Sequence, residues 1–235
     1  MKLSGLTVTW LGHGTFLLRS PGGCRILVDP WLDGNPSCPP AHKAVGAIDL
    51  VLVTHGHFDH VHDAAAVARA TGATVVGIFE LCDWLSRKGV EKTSGMNKGG
   101  TQEQCGIRIT MVDARHSSSY VDDGMITYLG EAAGYVLRFE NGLTVYFAGD
   151  TALFGDMRLI KELYNPSIAF LPIGDVFTMD PVAAAKATEL LGVQVVIPMH
   201  FGTFPLLTGR PEQLRELVAG LGVEVIDMKP GDTVT

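Results

Sequence analysis

The segment His55-Gly56-His57-Phe58-Asp59-His60 follows directly on the apolar run Asp49-Leu50-Val51-Leu52-Val53-Thr54. The run has the length and content of a short buried strand. The chain therefore places four metal-capable side chains within six residues at the end of a rigid element. An ordinary polar loop with Asp59 capping a helix would account for one of them, not for all. In an extended loop His55 and His57 project to the same side and can bind one ion. Asp59 and His60 lie further along and can reach a second. Imidazole nitrogens and carboxylate oxygens suit zinc and neighbouring first-row ions, and the absence of cysteine from the motif leaves the metal open.

Further candidates sit where other strands end. Hydrophobic alternation and turn residues predict strands at 6–11, 15–19, 25–29, 74–79, 106–112, 134–140, 143–149, 167–172, 193–197 and 223–228. Asn141-Gly142 is a hairpin signal between two of them. Helices are expected at 61–71, 80–88 and 181–191, ending at Gly72, Gly89 and Gly192, with another at 156–164 and a last one from Pro211 to Gly220. Asp180-Pro181 supplies an N-cap and a first-turn proline. Residues 91–105 show no period and read as a loop. Against this frame, His116 follows the strand 106–112, Asp150 closes 143–149 and His200 follows 193–197. Any one of them alone would be an ordinary histidine or aspartate; with the cluster they form a set. The stretches 14–29 and 134–150 echo each other as Gly, strand, turn, strand, Asp, which fits two similar halves packed face to face.

Composition removes several alternatives. Hydrophobic residues make up 46% and charged residues 18% of the 235, enough for a sizeable core. Glycine supplies 28 residues, above the average of about 7%, in keeping with many tight turns. The formal charge of −7, with no basic cluster, disfavours general nucleic-acid binding. The four cysteines, Cys24, Cys38, Cys82 and Cys105, are too scattered for a disulfide framework and read as reduced thiols of a cytoplasmic protein. The opening MKLSGLTVTW lacks the apolar run of a signal peptide, and no stretch approaches a membrane span. With no linker in evidence, residues 1–235 read as a single domain.

The order Asp29, His55-x-His57-x-Asp59-His60, His116, Asp150, His200 resembles the motifs of the metallo-β-lactamase superfamily. Within it the chain is most similar to small metal-dependent hydrolases related to the ascorbate-6-phosphate lactonases. The stretches that carry this are WLGHGTF (10–16), LVDPWLDGNP (27–36), MNKGGT (96–101), GDTALFGDM (149–157), PIGDVFTM (172–179) and PMHFGTFP (198–205). The resemblance implies an α/β fold, a four-layer αββα sandwich with metals at one edge between the sheets. It implies two divalent ions: zinc first, manganese or iron as alternatives. His55, His57 and His116 would hold the first, Asp59, His60 and His200 the second, with Asp150 bridging. Asp29 would orient a ligand rather than bind metal, and His62 would lie at the surface. His13 would either face the pocket as a substrate contact or proton donor, or be buried on backbone hydrogen bonds. With Asp59 and Asp150 it completes the candidate catalytic set; Asp156 and bound water are further candidates for protonating the leaving group.

The chemistry expected is hydrolysis of a small ester, lactone or phosphodiester by a metal-bound hydroxide. A net positive dinuclear site favours an anionic substrate. The competing expectations are a mononuclear-iron dioxygenase and a compact nuclease of the same fold. A small-molecule substrate is expected as partner, with no membrane and no nucleic acid, and a homo-oligomer stays open.

Overall fold

A computed structural model describes residues 3–235. In chain order the elements are β1 (Thr7–Trp10), β2 (Phe16–Arg19), β3 (Arg25–Val28), β4 (Leu50–Leu52), α1 (Phe58–Val61), α2 (Ala64–Thr71), β5 (Thr74–Ile78) and α3 (Phe79–Arg87). Then come β6 (Thr93–Met96), β7 (Thr101–Gln104), β8 (Ile107–Asp113), β9 (Ser119–Asp122), β10 (Met125–Tyr128), β11 (Ala133–Arg138) and β12 (Thr144–Phe147). The chain closes with α4 (Met157–Tyr164), β13 (Ile168–Pro172), α5 (Pro181–Leu191), β14 (Val195–Met199), α6 (Pro211–Val218), β15 (Glu224–Val225) and β16 (Thr233–Val234).

Two seven-stranded sheets dominate, in the orders β16-β1-β2-β3-β4-β5-β6 and β15-β14-β13-β12-β11-β8-β7. Each is antiparallel in one half and parallel in the other. The hairpin β2–β3 followed by parallel β4 and β5 matches the hairpin β11–β12 followed by parallel β13 and β14. The echo between 14–29 and 134–150 is thus a repeated topology. Helices α2 and α3 pack on the first sheet, and α5 and α6 on the second. The result is the αββα sandwich. Parallel interior strands are covered on both faces, so they carry unbroken apolar runs: Leu50-Val51-Leu52 in β4, and β13 and β14, are buried throughout.

Between the sheets, Phe16 of β2 meets Phe170 edge-on with ring centroids 4.9 Å apart and Phe147 at 5.8 Å. The Tyr135 hydroxyl of β11 crosses to donate to the Val53 carbonyl at 2.7 Å, tying the second sheet to the end of β4. Local punctuation follows the sequence. Asp180 Oδ1 accepts from the Ala183 N–H at 2.7 Å to start α5, and Gly192 closes it at φ 59°.

The differences lie in short, polar elements. Residues 91–105 contain β6 and β7. The latter reads Thr-Gln-Glu-Gln, a polar edge strand with no apolar face to signal it. The hairpin β9–β10 and the closing strand β16 have no counterpart in the hydrophobic pattern. The helix expected at 61–71 is two pieces, α1 and α2, separated by a turn at His62-Asp63. That turn frees the Asp63 carboxylate to accept from the backbone of Leu32 and Asp33.

Phe16→Ala removes the ring that fills the space between the sheets. Chemical denaturation of metal-stripped protein is expected to show roughly 3–5 kcal/mol less stability than wild type.

Candidate metal centre

Strand direction brings the candidate residues together. β1, β3, β4, β8, β12 and β14 all end at the same edge of the sandwich. The residues following those ends include His13, Asp29, His55, His116, Asp150 and His200, while His57, Asp59 and His60 sit in and beside the short helix α1.

Three ring nitrogens converge first. His57 Nδ1 lies 3.1 Å from His55 Nε2 and 3.2 Å from His116 Nε2. Ligands about 2.0–2.1 Å from one tetrahedral ion stand roughly 3.3 Å apart, so this spacing fits a single metal. A second group joins Asp59 Oδ2 with His60 Nε2 at 3.9 Å and His200 Nε2 at 3.8 Å. Between them lies Asp150 Oδ2. It is 3.9 Å and 3.6 Å from the nitrogens of His55 and His116, and 3.3 Å and 3.0 Å from those of His60 and His200. One carboxylate oxygen therefore faces both groups.

Hydrogen bonds fix which atoms point inward. Asp29 is fully buried and accepts three donors: the Thr54 N–H at 2.7 Å, the Thr54 hydroxyl at 2.7 Å and His60 Nδ1 at 2.8 Å. Since the Thr54 hydroxyl spends its proton on Asp29, its oxygen accepts from His55 Nδ1 at 3.0 Å. Both imidazoles thus turn their Nε2 atoms into the site. His60 Nε2, both ring nitrogens of His200 and Asp150 Oδ1 are buried without a hydrogen-bond partner. Buried polar atoms are normally satisfied. Orphaned donors of this type on three converging elements fit divalent cations.

The electrostatics carry the same message. Burial disfavours the charged forms of all these groups. For Asp150 the imidazoles of His200 and His60 outweigh burial and hold the carboxyl well below its usual range. For Asp59, His60 and His13 do the same. His200 is lowered by burial but raised more by Asp150, to about 9, and His60 is likewise held well above its ordinary value by Asp150, Asp29 and Asp59. Burial and the neighbouring imidazoles lower His55, His57 and His116, so these present neutral nitrogens. The carboxylates thus hold positive charge on the second group. Asp29 itself is pushed up by burial, while His60 and the hydrogen bonds from His60 and Thr54 act in the other direction and favour the ionised form.

His13 is fully buried. Its Nε2 contacts Asp59 Oδ2 at 2.8 Å and its Nδ1 contacts the Thr203 hydroxyl at 3.0 Å, and burial lowers its pKa to about 4. Its carbonyl accepts from the His200 N–H at 3.2 Å and from the Trp10 indole at 2.9 Å. Its ring reaches the site through Asp59 and is absent from the cavity wall. Asp156 is exposed at the start of α4 and also lies outside that wall, and His62 is exposed. The hydrophobic pattern gave no sign of Thr54 or Thr203; a hydroxyl beside a strand end is common and becomes informative only when its partner is known.

His57, Asp59, His116, Asp150 and His200 form the floor of a cavity of about 660 Å³, with His55 and His60 behind them. Its rim carries Phe58, Phe177, Phe204, Pro205 and Leu206. Backbone crowding holds the floor in place: a Cβ on Gly174 would run into the His200 carbonyl oxygen. Gly174→Ala is expected to cost about 1–3 kcal/mol by overpacking and to lower the metal content of reconstituted protein. Thermal unfolding and elemental analysis check the two effects.

The beta-lactamase superfamily domain matches residues 24–201. Among curated proteins, a UPF0173 metal-dependent hydrolase of Koribacter versatilis is 52% identical over 233 residues, covering 99% of each chain. One of Rubrobacter xylanophilus is 53% identical over 235 residues, covering 98% of this chain and 96% of its own. Among solved structures, Igni18, a metallo hydrolase of the archaeon Ignicoccus hospitalis, superposes with a TM-score of 0.86 at 38% identity, covering 97% of both chains. Fold, donor arrangement and near full-length similarity agree: this chain belongs to the UPF0173 metal-dependent hydrolases of the beta-lactamase superfamily.

Proposed function

We propose that the protein hydrolyses a small ester, lactone or phosphodiester at a dinuclear centre. The observation that carries this reading is Asp150 Oδ2, within 3.9 Å of ring nitrogens from both donor groups. His55, His57 and His116 would hold one ion, Asp59, His60 and His200 the other, and Asp150 would bridge them. Nitrogen and oxygen donors without thiolate suit zinc, with manganese and iron(II) as alternatives. Such ions supply Lewis acidity and lower the pKa of the water they bind. Two divalent cations against the carboxylates of Asp59 and Asp150 leave the floor net positive. A reacting group that carries or develops negative charge is favoured there.

The chain's own contribution is orientation. Asp29 holds the His60 ring directly and the His55 ring through the Thr54 hydroxyl. His13 holds Asp59 and, through its carbonyl, the backbone of His200. In this reading His13 is a positioning residue rather than a proton donor to substrate. A cavity of about 660 Å³ suits a small molecule, and no lysine or arginine lines it, which speaks against a nucleic-acid backbone as substrate.

Elemental analysis after reconstitution is expected to find two ions per chain; saturation at one would overturn the dinuclear reading. Turnover of an ester, lactone and phosphodiester panel should vanish with chelator and return with metal.

Two carboxylates separate metal binding from orientation. Asp150→Ala removes a donor from both groups, so metal content falls and hydrolysis drops to background. Asp29→Asn keeps the shape of the side chain and is expected to cost about 10–100-fold in metal affinity or activity. If Asp150→Ala kept both ions while Asp29→Asn lost one, the roles would be reversed.

A further inference from the structure

The cavity wall changes character abruptly above the metal donors. Apart from Ser117, the rest of its lining is Phe58, Phe177, Phe204, Pro205 and Leu206. Three of these are large apolar side chains left open to solvent: Phe58 at 52%, Phe177 at 53% and Leu206 at 58% exposure. Exposed apolar side chains are commonplace singly, but clustered around a polar floor they mark a binding surface.

The collar is also held rigid. Trp31, itself buried, stacks on Phe204 with ring centroids 5.8 Å apart and meets Phe58 edge-on at 5.5 Å. Phe177 rides on a loop whose backbone is strained. Asp175 and Val176 both lie in the left-handed region, at φ 70° and 57°, and a β-branched residue there is a genuine outlier. Such strain persists only where the surroundings impose it. Here they do. The Asp175 N–H donates to the Met179 carbonyl at 3.1 Å, and the Met179 N–H donates to Thr151, beside Asp150, at 3.2 Å. The Val176 N–H donates to Asp175 Oδ1 at 2.7 Å, and the Ile173 N–H donates to Met199, beside His200, at 3.0 Å. The loop that presents Phe177 is thus tied to the strand ends that carry two metal donors. An apolar residue exposed on a strained, anchored loop is placed for contact with a ligand.

We propose that this collar receives an uncharged apolar acyl or aryl group attached to the scissile bond, so that Phe58, Phe177 and Leu206 determine substrate specificity. The inference rests on the hydrolase reading for the position of the reacting group, and on the collar alone for the chemistry of the remainder. A substrate with a charged tail would lose hydration there and find no counter-charge in the wall.

Two measurements on metal-loaded protein test it. The first is calorimetric binding of acetate, butyrate, hexanoate and succinate, in which the carboxylate meets the floor and the tail meets the collar. Affinity is expected to rise by up to about four-fold per methylene along the monocarboxylates, with succinate weaker than butyrate. The second is kcat/KM for the corresponding ethyl esters and for monoethyl succinate, followed by acid release; the same order is expected, with at least about ten-fold between acetate and hexanoate. Phe177→Ala and Leu206→Ala, which open no core cavity, should flatten both gradients. Leu163→Ala, an equally apolar exposed change on α4 away from the cavity, should leave them intact. A flat binding series, or a gradient indifferent to Phe177→Ala and Leu206→Ala, overturns the collar. A binding gradient without turnover of any ester upholds the collar and overturns the ester reading. Turnover without a binding gradient does the reverse.

Discussion

The buried carboxylate of Asp29 is the contact on which the site depends. It takes three donors, from the backbone and hydroxyl of Thr54 and from His60 Nδ1. With these it joins the end of β3 to the end of β4 and to the short helix α1. An unpaired carboxylate at that depth would be prohibitive, and its partners would be left unsatisfied in turn. The network is therefore all or nothing. Once formed it fixes the orientations of the His55 and His60 rings, and so determines that Nε2 rather than Nδ1 faces the candidate donors of the other sheet. The second sheet answers with Asp150 from the equivalent hairpin. That carboxylate accepts no hydrogen bond at Oδ1, and its Oδ2 faces imidazoles from both donor groups. Two similar hairpins thus deliver two aspartates into opposite surroundings, one ringed by hydrogen-bond donors and one facing two groups of imidazoles. The difference comes from what surrounds them, not from the aspartates themselves.

The topology explains why residues so distant in sequence meet. Each sheet passes from antiparallel to parallel at its third or fourth strand, so the strands that matter all finish at one edge. Loops leaving that edge can vary without disturbing the sandwich, because the strands beneath are buried on both faces. The link between the sheets is close to the site as well as central: Tyr135 donates to Val53, the residue immediately before Thr54. Packing between the layers and the position of the donors are therefore parts of the same contact region.

The sequence disclosed the site more fully than the fold's periphery. His55, His57, Asp59 and His60 are legible because four metal-capable residues in six are rare in a strand-ending loop. His116, Asp150 and His200 are legible because they follow apolar runs. Buried strands announce themselves through the same runs. Strands β6 and β7 do not, since an edge strand such as Thr-Gln-Glu-Gln owes its place to a neighbour's backbone rather than to its own side chains. The hairpin β9–β10 leaves Val121, Met125, Ile126 and Tyr128 largely exposed, so burial supplies no period there. The orientation of His13 was illegible for another reason. Its two ring partners, Asp59 and Thr203, lie 46 and 190 residues away. Only the assembled edge decides between a ring that lines the pocket and one that braces a carboxylate.

Backbone strain is distributed in the same way. Of the nine left-handed residues outside glycine among the described residues, five, His13, Asp29, Asp175, Val176 and His200, lie at the donor edge. Residues held there against their preference cost of order 1–3 kcal/mol each. The buried donors without partners add a further penalty. Cations held by those donors would satisfy them and add stability at the edge where the strained residues gather. Metal affinity and the rigidity of the surrounding loops are in this sense one property. The carboxylates that draw positive charge onto His60 and His200 would take the cations in its place, and the strained loops would then be held from both sides: by the strands below and by the filled centre above.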